Sequence, residues 1–133
     1  MTVSTSTAVK NARLDAIATA WGAAPKLRLY SGTPPANAAA ALSGNNLLAE
    51  VTPVPAAASN ASKDMLGGAK STTGTAAAGT GTPATFYRVY DSAGTTCHEQ
   101  GTVAQSGGDI TVDNANIAQN QAVNINTFTK TEP

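Results

Sequence analysis

The one cysteine and the one histidine of this chain are neighbours, Cys97 and His98, and Glu99 follows them. A thiol, an imidazole and a carboxylate are the side chains of nucleophilic catalysis and of metal ligation. Both chemistries demand more than this stretch offers. Adjacent side chains on a strand point to opposite faces, so His98 shares a site with both neighbours only if a bulge interrupts the strand. A zinc site would need further Cys or His ligands, and the chain has no more of either. His98 is also the only available base for a Ser-His-Asp arrangement, and no GxSxG elbow accompanies it. The expectation is an ordinary buried thiol beside a surface imidazole, with no catalytic residue and no enzyme activity.

Other stretches imitate sites without completing them. Gly67-Gly68-Ala69-Lys70-Ser71-Thr72 has the composition of a phosphate loop, but that motif requires Gly directly before Lys, where Ala69 stands. Asp91, Asp109, Asp113 and Asn114 carry oxygen ligands suited to calcium. DITVDNAN, however, lacks the alternating ligand positions and the closing bidentate carboxylate of a calcium loop. Turn and edge roles are expected for these residues. Asn60-Ala61-Ser62 has the form of a glycosylation acceptor, and nothing else in the sequence points to the secretory pathway. No metal and no cofactor is expected.

Composition narrows the partners. The 133 residues carry 8 basic and 8 acidic side chains, so the net charge is near zero and no basic run exists to grip phosphates. Direct nucleic-acid binding is therefore not expected. Charged residues are 12% of the chain, about half the usual share, which suits a surface that other protein copies cover. With a single cysteine an intrachain disulfide is impossible. No apolar run approaches a membrane span, and the N-terminus has no hydrophobic signal core.

The elements that would position these residues come from patterning. The length suits one domain. Because 27 residues are alanine, the apolar load falls on a few large side chains: Leu14, Ile17, Trp21, Leu27, Leu29, Leu47, Leu48, Phe86, Tyr87, Val89, Tyr90, Ile110, Val112, Val123, Ile125 and Phe128. Residues 1–7 read as a flexible polar arm, and 8–133 as a single β-rich domain. Leu14, Ile17, Ala18 and Trp21 share one helix face, which predicts a helix over about 8–21 with Ser6 or Thr7 capping it and Gly22 ending it. KLRLYS alternates as a half-buried strand, NLLAEV reads as a second, and ATFYRVY and TTCHEQGTV read as an antiparallel pair around DSAG. DITVDNANI and QAVNINTFTK add two more. Residues 56–83 are rich in Ala, Ser, Thr and Gly and read as weak strand with a mobile loop, in which small residues would let another backbone come close. The sum is five to seven strands, hence a mainly β fold: an antiparallel sandwich or barrel, jelly-roll-like, with one N-terminal helix.

Arg-x-Tyr occurs twice, as Arg28 with Tyr30 and Arg88 with Tyr90, and each pair shares a strand face. Coincidence and β-propensity account for the repeat. The alternative is that the two strands hold equivalent places in two sheets, or that the four residues form a patch for a partner, since Tyr and Arg are favoured at interfaces.

In order, ARLDAIATAWG, LRLYSGTPPA, LSGNNLLAEV and FYRVYDSAGTTCHEQGTV resemble a family of small proteins encoded among the virion genes of tailed bacteriophages. The resemblance spans most of the chain, from the helix to the hairpin at 84–103, and is thinnest over 56–80. It implies a capsid decoration or cement protein, made in the bacterial host cytoplasm and bound on the virion surface. Its partners would be the major capsid protein or other virion subunits, together with copies of itself. A head-tail connector or tail component is the alternative, as is a receptor- or carbohydrate-binding tip using Trp21, Tyr30, Tyr87 and Tyr90 as stacking faces.

Overall fold

Helix α1 (Thr7–Trp21) starts where the Ser6 hydroxyl accepts a hydrogen bond from the Val9 amide at 3.3 Å, and it stops at Gly22, whose φ of 90° suits glycine alone. In this computed structural model, residues 3–132 are described. The first two residues of the expected arm lie outside that range, residues 3–6 have no regular structure, and Ser6 belongs to the helix as its cap. Leu14 and Trp21 are buried, and Ile17 is partly buried against the core that Trp21 joins. Polar residues flanking this stripe are engaged too. Asn11 accepts from the Ala61 amide at 2.9 Å, and Asp15 accepts from the Ala58 amide at 3.0 Å and from Lys63 Nζ at 2.7 Å. Lys63, almost wholly buried, also donates to the Ala56 carbonyl, and its ammonium holds the Asp15 carboxyl below the ordinary carboxylate range. Residues 56–64, which composition leaves without obvious order, are thus fastened to α1.

Ten strands follow among the described residues: β1 (Lys26–Ser31), β2 (Leu47–Val51), β3 (Ser62–Asp64), β4 (Lys70–Thr73), β5 (Thr82–Tyr90), β6 (Cys97–Ala104), β7 (Ile110–Val112), β8 (Asn116–Ile117), β9 (Ala122–Thr127) and β10 (Thr129–Thr131). The main sheet runs β2-β1-β5-β6-β7-β9-β4, with β8 on the start of β5, while β3 and β10 pair apart. Just past β4 the Thr75 amide donates to the Leu48 carbonyl at 2.9 Å and its hydroxyl to the Leu47 carbonyl. These bonds bring the two ends of the path together in a nearly closed barrel, which satisfies edges that would otherwise stay open.

One pairing departs from the all-antiparallel expectation. β6 and β7 run parallel, Val103 opposite Ile110 and Ala104 opposite Thr111. Parallel returns normally need a long crossover. Here only two residue pairs match, so the chain steps back a short way, and Asp109 fastens the loop by accepting from the Thr102 amide at 2.9 Å and its hydroxyl at 3.1 Å.

The barrel interior holds Leu27, Leu29, Leu48, Val89, Ile110 and Ile125, closed at one side by Trp21, Tyr87 and Phe128 with ring centroids 5.0 to 6.0 Å apart. Met65, Leu66 and Ile117 are fully buried as well; the first two lie in the weakly patterned stretch 56–83. The outer face of β1 and β5 is covered rather than open. Tyr30, Phe86 and Tyr90 form a second cluster there, with Tyr30 stacked on Phe86 at 5.5 Å and with Leu42, Leu47 and Cys97 packed against it.

Candidate functional site

The two Arg-x-Tyr strands turn out to be neighbours in one sheet. In the antiparallel register of β1 and β5, Arg28 lies directly opposite Arg88, a placement that costs free energy for like charges. The side chains resolve it by turning apart along one row of the sheet. Arg28 opposes Glu50 of β2 and donates from Nε to its carboxylate at 2.7 Å, with the guanidinium 4.9 Å from the Tyr90 ring centre. Arg88 opposes Gln100 of β6 and donates from Nε to Oε1 at 2.9 Å. Its Nη2 donates to the carbonyls of Asn37 at 3.2 Å and Ala40 at 2.6 Å.

The four residues are therefore brought together, but beneath a cover. Arg88 is 3% exposed, Tyr30 4% and Tyr90 7%, while Arg28 keeps about a fifth of its side chain accessible. What the molecule presents above them is the 37–42 loop that Arg88 ties down. Between that loop and the 95–97 turn lies a groove of about 470 Å³, with Arg88, Tyr90, Thr95, Thr96 and Cys97 among its walls. Sequence reasoning missed Gln100 and the Asn37 and Ala40 carbonyls, because no spacing announces which loop will cross a strand some fifty residues distant.

The Cys97-His98-Glu99 stretch contains the bulge that a shared site would require. Tyr90 opposes Cys97 while Val89 opposes Glu99, so His98 is the extra residue. Its effect is to separate the three groups. Cys97 packs with Tyr30, Phe86 and Tyr90, whereas the Glu99 carboxylate accepts from the Tyr87 hydroxyl at 2.5 Å and pairs with Lys130 at 2.8 Å, and His98 is exposed. The thiol expected to be buried is half-buried, with burial pushing its pKa up and the Arg88 guanidinium opposing that shift. Burial and the adjacent Glu99 carboxylate hold the Tyr87 hydroxyl firmly protonated.

The calcium-like acids serve turns. Asp91 accepts from the Thr95 amide at 2.9 Å, and Asp113 accepts from the Asn124 amide at 3.1 Å and side chain at 2.9 Å; these bonds lower both carboxyl pKa values. A second cleft, about 370 Å³, has Tyr87, Glu99, Asp109 and Lys130 among its walls, and these four side chains are each engaged within the chain. Gly101 makes room for it: an added Cβ would stand 2.6 Å from Tyr87 Cε1 and 2.8 Å from Asp109 Oδ2.

Tyr30 gives the covered face a pH signature. Burial, chiefly, and the Tyr90 hydroxyl push its pKa up to about 12, against the opposing pull of Arg28. A raised folded-state value means the stabilising protonated phenol is fully present below the unfolded pKa of about 10 and is lost as pH rises towards 12. Urea melts at rising pH should therefore show stability falling through that window, and less steeply in Tyr30→Phe. Identical slopes would refute the assignment.

No protein-family model, curated protein or solved structure matches this chain.

Proposed function

We propose that this chain is a structural subunit of a tailed-bacteriophage virion, of the capsid decoration or cement kind, which stabilises the shell by binding the major capsid protein. The observation that supports this most directly is how the polar side chains are used. Arg88, Lys63, Asp15, Asp109 and Asp113 each fasten a loop or terminus of the chain to its own barrel. A module held rigid in this way loses little conformational entropy when it docks, and many copies on a lattice make modest contacts effective. The resemblance over 12–103 supplies the context. The aromatic residues that a carbohydrate tip would need, Trp21, Tyr30, Tyr87 and Tyr90, are all buried, which favours the shell reading over the tip.

The N-terminal segment is the second candidate contact, because Val3 is 89% exposed and projects ahead of a helix docked on the barrel. Purified protein should bind capsids that lack it and raise their resistance to heat. Deleting residues 1–5, which keeps the Ser6 cap, should weaken that binding several-fold without changing the melting temperature. Recovery of the protein in isolated tails alone would replace the shell assignment with the tail one, and full-strength binding by the deletion variant would make the arm passive.

A further inference from the structure

We propose that the groove between the 38–42 loop and the 95–97 turn is a docking slot for an extended peptide segment bearing a carboxylate side chain, received by Arg88. Such a slot serves whichever assembly the protein joins. A guanidinium stays charged at any ordinary pH, and this one is 3% exposed. Every acceptor it meets is neutral: Gln100 Oε1, the Asn37 and Ala40 carbonyls, and the Tyr90 hydroxyl at 3.4 Å. Among the described residues no carboxylate oxygen forms an ion pair with it. The acids on neighbouring elements are engaged: Glu50 with Lys26 and Arg28, Glu99 with Lys130, and Asp91 with the amides of its own turn.

A buried cation answered only by dipoles leaves a positive potential in its surroundings, strongest where water is scarce. Arg88 also has a donor to spare. Of its five N–H groups, the two on Nη1 share a single acceptor, Tyr90 Oη, at a distance near the limit of a hydrogen bond. Tyr90 is itself a wall of the groove, so a carboxylate oxygen entering there would complete a charge-assisted bond. The groove's volume of about 470 Å³ far exceeds one carboxylate, and its loop wall is four consecutive alanines, Ala38 to Ala41, beside which a backbone can lie close. Those two features select a peptide segment over a small anion.

Cys97, the chain's only thiol, lines the same groove and reports on it without mutation. Iodoacetate and iodoacetamide attack the same thiolate, so the ratio of their rates cancels thiolate fraction and access and retains the local potential. In the folded protein that ratio should exceed the ratio in the urea-unfolded chain roughly fivefold, and the excess should fall only in part in about 0.5 M salt, because a buried charge is screened less than an exposed one. The blocked tripeptide Ac-Ala-Glu-Ala-amide should slow labelling by iodoacetamide, and Ac-Ala-Gln-Ala-amide should not. A ratio no higher than in the unfolded chain overturns the positive groove. Equal protection by the two peptides, or protection by acetate at the same concentration, overturns the peptide slot.

Discussion

Replacing Arg88 with methionine is expected to lower the unfolding free energy by about 3 kcal/mol and the melting temperature by roughly 10 °C. Methionine matches much of the length of arginine and keeps the apolar stem, so the loss isolates the guanidinium. Its removal deprives the part-buried Asn37 and Ala40 carbonyls and Gln100 Oε1 of their donor, and an acceptor left unpaired costs up to about 1–3 kcal/mol when water cannot reach it. The total stays below the simple sum because the 37–42 loop can swing out to water. That release supplies a second readout: amide exchange should quicken at Ala39 and Ala40 and not in β7 or β9, which lie across the barrel. A thermal melt within about 1 kcal/mol of the parent, with the loop still protected, would show that Arg88 is not the fastener.

Gly74→Ala should cost a comparable amount, about 3 kcal/mol, for a different reason. A Cβ at residue 74 would stand 1.9 Å from the Ala118 carbonyl oxygen and 2.9 Å from Ile117 Cγ2. The obstacle is backbone, which cannot rotate aside, and forced overpacking typically costs 1–3 kcal/mol or more. The same residue donates to the Gln121 carbonyl at 2.9 Å and accepts from the Asn120 amide at 3.0 Å, so moving it strains two ladder-like bonds at once. Thr75, whose bonds to Leu47 and Leu48 close the barrel, is the next residue. Denaturant melts of Gly74→Ala measure the effect, and Gly79→Ala, where an added Cβ meets nothing within 4 Å but φ is 58°, sets the cost of backbone strain alone. Equal losses in the two variants would remove the steric explanation.

Much of the architecture was legible in the sequence because strong local signals agree with one another. The stripe of Leu14, Ile17 and Trp21 between Ser6 and Gly22 fixes a helix, and the structure begins it one residue before the expected start. Alternation in KLRLYS and the aromatic run of ATFYRVY fix β1 and β5. The close backbone approach that small residues of 56–83 allow is found at Gly74. Less legible was the order of that region, since Met65 and Leu66 are two buried side chains among many small ones, and the ordering bonds come from Asn11 and Asp15 some fifty residues earlier.

The site shows the same division more sharply. Arg28 and Tyr30, and Arg88 and Tyr90, could be assigned to shared strand faces, because side chains two apart on a strand point the same way. That Arg28 faces Arg88 across one sheet, and that a loop buries the row, follows from pairing and chain path, which local propensity does not encode. The bulge at His98 was recognised as a condition and not as a fact, since one inserted residue leaves no mark on composition.

By itself, then, the sequence determined a mainly β domain with an N-terminal helix, because period-2 and period-3.6 patterns act through neighbours a few residues apart. The tertiary structure alone decided the nearly closed barrel, the parallel β6–β7 pair, the buried Arg88 and the groove beside it. Each of these depends on contacts between residues far apart in the chain, whose free energies appear only once the backbone has brought them together.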